Sequence, residues 1–159
     1  MLGTISSVYT LYLDLCCYNR PFDGQAQIRV RLETEAKLQI QALAQQKLVA
    51  LIWSYVLDYE NSRNPIQSRQ ESIALWREIA CHRIQAQETL VVQAQTFAST
   101  YGIKSFDALH LACAVSAKAD MFVTTDDQLL RKLKSLPDIR VIPPIEALSI
   151  LERWYESRN

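Results

Sequence analysis

The sequence predicts an α/β fold, with helices on both faces of a mainly parallel sheet, in a three-layer α/β/α arrangement. Short apolar, β-prone segments alternate along the chain with longer segments whose apolar residues recur every three or four positions. Parallel strands need long crossover connections, which are right-handed and usually helical. No linker rich in Gly, Pro or Ser divides the 159 residues, so we predict one domain over residues 1–159.

The first strands and helix follow from hydrophobic patterning. Residues 9–15 (YTLYLDL) and residues 48–53 (LVALIW) are apolar runs of strand length. Between them, residues 25–46 have the periodicity of an amphipathic helix. The predicted buried stripe of this helix consists of Ile28, Leu32, Ala36, Ile40 and Leu43.

The middle of the chain is predicted to be mostly helical. Ser54 is a suitable N-cap for a helix that extends through Glu60, because its hydroxyl can accept from a free amide of the first turn. Helical periodicity returns over residues 73–79 and 91–101, and Gly102 ends the second of these helices.

The last third alternates helix and strand. A helix over residues 106–119 (FDALHLACAVSAKA) is predicted to be capped by Ser105. Its predicted buried stripe consists of Phe106, Leu109, Ala112 and Cys113. The elements predicted after it are a strand at 121–125 (MFVTT), a helix at 127–134 capped by Asp126 or Asp127, a strand at 139–142 and a final helix from Pro144 through Trp154.

Composition limits the classes of function. Lys plus Arg balance Asp plus Glu at 17 each, so a polyanion would have to bind to a local basic patch. The four cysteines form no CxxC pair and complete no zinc spacing with the two histidines, which favours reduced, packed thiols. Neither a secretion leader nor an apolar run of ~20 residues is found. We therefore expect a cytoplasmic protein that does not enter a membrane.

Four acidic residues stand where the ligand site of such a sheet should be. Ligands of open parallel α/β sheets bind beyond the carboxyl ends of the strands. Asp14 ends the first predicted strand, Asp126 follows strand MFVTT, and Asp107 opens the helix that leads into that strand. Glu60, two turns into its helix, can reach the same edge. The sequence therefore predicts one carboxylate cluster.

Each acid also has a purely structural interpretation. Asp126 can serve as an N-cap, Asp107 can complement a helix dipole, and Glu60 can lie on a solvated helix face. Asp14 is harder to explain in this way, because a carboxylate beside an apolar strand is costly to bury without a cation or several donors.

A divalent metal would reconcile the four charges. Two carboxylates ~5 Å apart repel by about 3 kcal/mol at an effective dielectric of ~20. Oxygen ligands favour Mg²⁺ or Mn²⁺, which leave coordination positions for water and phosphate. One or two such ions can activate water and stabilise the leaving oxygen during attack on a phosphodiester. Hydrolysis of a nucleic acid is the predicted chemistry.

Two neighbouring acids leave alternatives open. Asp58 and Glu60 are separated by roughly 200° around a helix, so both cannot face one site. We choose Glu60 and retain Asp58 as the alternative. Asp127 adjoins Asp126, but Asp126 comes first after two threonines whose hydroxyls can orient it, so Asp126 is preferred.

The segments YLD, SYVLDYE, FDALHLACA and FVTTDD resemble the successive acidic motifs of the PIN-domain family. The resemblance spans nearly the whole chain, and FDALHLACA followed by FVTTDD is its most specific part. It implies a three-layer α/β/α fold and an Mg²⁺- or Mn²⁺-dependent ribonuclease. By position, the resemblance makes the metal ligands Asp14, Glu60, Asp107 and Asp126.

The resemblance also implies partners. Many members of the family are toxins paired with an antitoxin protein, and relatives often form homodimers. RNA is therefore the expected substrate, an antitoxin the expected protein partner, and the apolar helix ALSILERWY a candidate dimer surface. The alternative function is that of a PIN-like module that binds RNA or protein without cleaving.

The chain departs from the family pattern after Asp14. The family commonly has Thr or Ser at the next position and often Asn after it, whereas this chain has Leu15, Cys16 and Cys17. Asn19 is a candidate substitute near the metal, and Thr125 is a candidate contact to the metal or to a phosphate.

Basic residues near the predicted sheet edge can form the local polyanion patch. Arg20 follows the first strand and Lys104 precedes Asp107, and Arg63 and Arg69 follow Glu60. Together they predict salt-dependent RNA binding. His110, one turn beyond Asp107, is interpreted as a core residue and not as a general base.

Overall fold

The computed structural model describes residues 8–158 and confirms the α/β class. Its strands are β1 (Tyr9–Leu13), β2 (Val49–Ser54), β3 (His82–Ile84), β4 (Met121–Val123) and β5 (Arg140–Ile142). They form one sheet in the order β3-β2-β1-β4-β5, and every neighbouring pair is parallel. The short edge strand β3 was not predicted from the sequence, because its three residues are polar or partly exposed and lack a strand pattern.

The strands alternate with helices as predicted. The helices are α1 (Leu15–Asn19), α2 (Ile28–Gln45), α3 (Tyr55–Ser62), α4 (Gln67–Ala74), α5 (Trp76–Ile79), α6 (Glu88–Tyr101), α7 (Ser105–Ser116), α8 (Asp127–Lys132) and α9 (Pro144–Arg158), with a 3₁₀ turn at Arg20–Phe22. Helices α2 and α9 pack on each other and on the sheet; α6 packs on α7, which packs on the sheet. Right-handed crossovers place α2 and the α6–α7 pair on opposite faces, which gives the three predicted layers.

The direction of strand connection reverses between β1 and β4. From β1 the chain continues outward to β2 and β3, whereas β4 leads to β5 on the other side of the sheet. The carboxyl ends of β1 and β4 lie side by side, since Leu13 pairs with Val123. A crevice at such a reversal is the usual ligand site of an open parallel sheet.

Four predicted helix ends are confirmed. The Ser54 side chain accepts from the Leu57 amide at 3.3 Å and caps α3. Asp126, and not Asp127, caps α8 by accepting from two amides of its first turn. Gly102 ends α6 in the left-handed conformation, at φ 65°, which a residue with a Cβ rarely adopts. The last helix begins at Pro144.

Two local predictions were wrong. The first strand ends at Leu13 and not at residue 15, because the Asp14 carboxylate accepts from the Leu15 amide and starts the short helix α1. Ser105 does not cap α7; it is the first helical residue, and Lys104 occupies the N-cap position without a side-chain hydrogen bond.

The buried faces of two helices also differ from the predicted stripes. In α2, Ile28 and Leu32 are 66% and 51% exposed, whereas Glu33 and Lys37 are buried. Ion pairs with Arg20 and Arg29 compensate the buried charge of Glu33. In α7, Ala112 and Cys113 are buried as predicted, but Phe106 is 41% exposed.

The core lies between the sheet and the two helical layers. Its largest fully buried side chains include Trp53, Tyr12, Tyr18 and Phe122. Two of them stack in parallel, since the ring planes of Tyr12 and Phe122 differ by 7° at a centroid distance of 5.4 Å. No helix within residues 8–158 is long and apolar enough to cross a membrane.

Candidate active site

Asp14 occupies the crevice between the ends of β1 and β4. Its amide donates to the Val123 carbonyl at 2.9 Å, so the residue directly after β1 continues the pairing with β4. One carboxylate oxygen accepts from the Leu15 amide and the other from the Thr124 hydroxyl, each at 2.8 Å. The residue is only 7% exposed. A carboxylate is therefore held in place at the predicted ligand site.

Glu60 and His110 meet beside Asp14. Nε2 of His110 contacts the Glu60 carboxylate and lies 3.9 Å from Oδ1 of Asp14. One potential ligand atom from each of the three residues lies within 4.8 Å of the others. His110 is fully buried, as predicted for a core residue, but its contact with two acids was not predicted.

The pKa of His110 reflects this acidic environment. Burial by itself would lower the pKa of the imidazole. The hydrogen bond of His110 to the Glu60 carboxylate and the charges of Asp14, Glu60 and Asp107 outweigh burial, so the pKa of His110 is raised above its usual value.

A buried chain of hydrogen bonds anchors His110. Its Nδ1 lies 2.6 Å from the phenol oxygen of Tyr12, which lies 2.6 Å from Oγ of Ser54. Ser54 caps α3, the helix that carries Glu60. The contacts therefore connect the start of α3 to Tyr12 on β1, then to His110 on α7, and from His110 back to Glu60 on α3. This closed circuit fixes the position of Glu60 relative to the sheet.

Asp107 lies in the first turn of α7, as predicted, and near the other acids. Burial raises the pKa of its carboxyl, the charges of Asp14 and Asp126 raise it further, and the resulting value is about 6. Asp107 and Asp126 line a small cavity together with the cationic side chains of Lys104 and Lys132. The structure thus brings all four predicted acids to one region.

Thr124 joins the acids of the two strand ends. Its hydroxyl donates to Asp14 and accepts from the Asp126 amide at 3.2 Å. The fully buried Thr124 thus contacts Asp14, whereas the contact of Thr125 to a metal or a phosphate stays a prediction. The signal was present in the pair of threonines after β4; strand alternation alone did not decide which one faces Asp14.

The two alternative acids point to other partners. Asp58 accepts from the Trp53 indole at 2.8 Å and from Arg77 at 3.3 Å. Both carboxylate oxygens of Asp127 accept from Arg29 at 2.7 Å. Neither carboxylate belongs to the group formed by Asp14, Glu60 and His110.

Cys16 provides polar contacts in the segment that departs from the family pattern. Its sulfur lies 3.5 Å from Asp14 and 3.4 Å from the Thr124 hydroxyl, and it accepts from the Thr125 amide at 3.3 Å. Cys17 faces the interior and donates to the Val123 carbonyl at 3.3 Å. The Leu-Cys-Cys segment therefore keeps a polar neighbour beside Asp14, in the form of a thiol.

Three other residues predicted near the metal or the substrate differ in their surroundings. The Asn19 side chain accepts from Asn64 at 3.3 Å. Arg20 forms ion pairs with Asp23 and with the buried Glu33, at 2.9 and 3.0 Å, so much of its binding capacity is used within the fold. Lys104 lines the acidic cavity.

The donor set fits a divalent cation. Carboxylate oxygens of Asp14 and Glu60 and an imidazole nitrogen of His110 lie within 4.8 Å of one another. The charges of Asp14, Asp126 and Glu60 act on Asp107, and Asp107 and Asp126 line one cavity. Mutual repulsion and burial oppose ionisation of such a cluster, as the raised pKa of Asp107 shows. A bound cation would stabilise the ionised carboxylates.

Fold and site together define a three-layer α/β/α protein with an acidic cluster at the reversal of strand order. The sequence profile described as PIN domain matches residues 29–136, which is more than half of the chain. The chain therefore belongs to the PIN domain family. The matched stretch includes Glu60, Asp107 and Asp126, and Asp14 lies before it.

Solved structures share the fold. One is VapBC2 from Rickettsia felis bound to a DNA fragment from their promoter, with 15% identity, a TM-score of 0.52, and coverage of 83% of this chain and 96% of that one. Another is VapBC-1 from nontypeable Haemophilus influenzae, with 15% identity, a TM-score of 0.54, and coverage of 87% and 98%. No curated protein matches the sequence.

Proposed function

We propose that this protein is a metal-dependent endoribonuclease that hydrolyses RNA phosphodiester bonds at the Asp14, Glu60, Asp107 and Asp126 cluster. The observation that carries the proposal is the convergence of these acids at the crevice where the strand order reverses. The same four positions bear the acidic motifs by which the sequence resembles the family, and membership of that family supports a nuclease.

The residues of the chain have distinct parts in this proposal. Mg²⁺ or Mn²⁺, when bound, supplies Lewis acidity toward water and the phosphate. Asp14, held by Thr124, and Glu60, held by the His110 circuit, present carboxylate oxygens in fixed positions. Asp107 would hold the ion as a carboxylate, because a coordinating carboxyl group must be ionised.

The protein is further proposed to be the toxin of a toxin–antitoxin pair. The shared fold with the VapBC structures supports a partner protein of this kind. The four cysteines are all free, which suits the reducing cytoplasm where we place its RNA substrate. Coexpression with the product of an adjacent small gene is the direct test of this pairing.

RNA cleavage with matched acidic variants tests the catalytic proposal. The full-length protein is incubated with an RNA panel in Mn²⁺, Mg²⁺ or chelator. We expect cleavage only with metal, and its loss in Asp14→Asn and Asp107→Asn. Asp127→Asn is the matched control, because this carboxylate faces Arg29. Asp14→Asn and Asp107→Asn variants as active as the parent would contradict the proposal.

Calorimetric titration distinguishes the alternative of a PIN-like module that binds without cleaving. The proposal predicts a saturable Mn²⁺ site that Asp14→Asn abolishes. RNA binding without any specific metal site would instead support the non-cleaving RNA- or protein-binding module.

A further inference from the structure

Two aromatic side chains belong to residues that directly precede acids of the cluster in the sequence. Tyr59 directly precedes Glu60 on α3, and Phe106 directly precedes Asp107 on α7. Their rings stack, with a centroid distance of 5.4 Å and an interplanar angle of 17°. We call this pair the aromatic platform.

The platform is exposed. Tyr59 is 47% and Phe106 is 41% accessible, so much of two large rings faces water. The hydrophobic periodicity of α7 predicted that Phe106 would be buried, and the structure places it outside the core. Exposed aromatic rings beside a functional site indicate a binding surface more than a contribution to the core.

A cation lies against the platform. The guanidinium of Arg63 is 5.9 Å from the centre of the Tyr59 ring and donates to the Tyr59 hydroxyl at 3.2 Å. None of the ion pairs among residues 8–158 includes Arg63. A positive charge that forms no ion pair among the described residues therefore stands next to the Tyr59 ring of the platform.

We infer that the aromatic platform binds an unpaired base of single-stranded RNA, next to the phosphodiester that the acids attack. This inference rests on the proposed ribonuclease function and specifies its substrate. Aromatic rings stack on any base, and a nearby guanidinium can contact the backbone phosphate. A base in a duplex is stacked on its neighbours and cannot use the platform, so single strands are selected.

The position of the platform explains why it serves the same site. Each ring belongs to the residue immediately before an acid, so the helices that position Glu60 and Asp107 also position Tyr59 and Phe106. The ring pair joins α3 and α7, and one helical turn after Phe106 on α7, His110 contacts Glu60 on α3. A base held there would bring its own phosphates toward the carboxylates.

RNA affinity measured by fluorescence anisotropy tests the inference. All variants are full-length and carry Asp14→Asn to prevent cleavage. The probes are a labelled single-stranded RNA and a duplex of the same sequence. We expect Phe106→Ala and Tyr59→Ala to weaken single-strand binding by about 5- to 150-fold each and to leave duplex binding unchanged.

Further variants separate stacking from general apolar contact. Phe106→Leu keeps apolar volume without a π face and should lose as much affinity as Phe106→Ala, whereas Phe106→Trp should retain it. Leu75→Ala is the matched control, because Leu75 is 66% exposed and far in sequence from the acids. Urea unfolding should show equal stability of the Leu and Trp variants.

Several results would overturn the inference. These are unchanged affinity in Phe106→Ala and Tyr59→Ala, full affinity in Phe106→Leu, or equal losses for duplex and single strand. A change in oligomeric state at unchanged RNA affinity would identify the platform as a protein-contact surface instead. The two proposals can fail separately. If the parent protein shows no metal-dependent cleavage, the ribonuclease proposal is refuted. If the parent cleaves RNA and the platform variants bind RNA with unchanged affinity, only the platform inference is refuted.

Discussion

The phenol oxygen of Tyr12 lies 2.6 Å from Nδ1 of His110, in the fully buried centre of the protein. Through this contact a core residue of β1 orients an imidazole whose other nitrogen meets the acidic cluster. Because Tyr12 also joins Ser54, the cap of α3 and the position of Glu60 depend on the same hydroxyl.

Removing that hydroxyl should destabilise the fold. Tyr12→Phe removes one buried hydrogen-bond partner from Ser54 and one from Nδ1 of His110, which costs about 1–3 kcal/mol. Tyr18→Phe is the matched control: among residues 8–158 the buried Tyr18 hydroxyl has no hydrogen-bond partner, so its loss should be neutral or slightly stabilising. Urea unfolding of both variants measures the difference. Equal losses of stability would contradict the proposed circuit.

Substitution of single acids should show which of them bind the metal. Glu60→Gln removes a charge beside Asp14 and is expected to weaken Mn²⁺ binding by at least tenfold. Asp58→Asn, two positions earlier, should change it by less than twofold, since this carboxylate contacts Trp53 and Arg77. Isothermal titration calorimetry is the measurement. The reverse order of effects would make Asp58 the ligand.

Thr124 should contribute more to folding stability than Thr125. Thr124→Val removes the hydroxyl that donates to Asp14 and accepts from the Asp126 amide. We expect a loss of about 1–3 kcal/mol in the free energy of unfolding, because buried polar groups lose their partner. Thr125→Val should cost clearly less in the same urea titration. A larger loss of stability in Thr125→Val would contradict the role assigned to Thr124.

Metal binding should depend on pH through Asp107. Burial, followed by the charges of Asp14 and Asp126, raises the pKa of this carboxyl from 3.8 to about 6. The proton competes with the metal below that pKa, so Mn²⁺ affinity should increase as the pH rises from 5 to 7. Calorimetry at several pH values measures this. A pH-independent affinity would show that Asp107 is not coupled to the ion.

The raised pKa of Asp107 also determines how the stability of the metal-free protein depends on pH. A carboxyl with a raised pKa in the folded state binds more protons there than in the unfolded chain. Its contribution to stability is complete below the ordinary value of 3.8 and is lost as the pH rises through about 6. Asp107→Asn should therefore remove part of the pH dependence of unfolding in chelator.

Patterning predicted the central architecture because the buried strands and most helix ends have local signals. The run LVALIW becomes β2, Ser54 caps α3 and Gly102 ends α6. Elements with weak local signals were missed. The edge strand β3 is short and mostly exposed, and α1 depends on the Asp14 side chain as its cap.

The acids of the site were predictable because each stands at a strand end or in the first turns of a helix. Their surroundings were not, since the partners come from distant parts of the sequence. His110 meets Glu60 from 50 positions away, and Thr124 meets Asp14 from 110 positions away. Arg20 was expected to bind substrate, but tertiary packing pairs it with the buried Glu33.

The most direct test of the central claim is the anomalous diffraction of a crystal of the full-length protein soaked in Mn²⁺. The account predicts an anomalous peak in contact with carboxylate oxygens of Asp14 and Asp107, with Glu60 and Asp126 around the same ion or an adjacent one. A crystal saturated with Mn²⁺ that shows no peak at this cluster would contradict the proposed metal centre, and with it the ribonuclease mechanism.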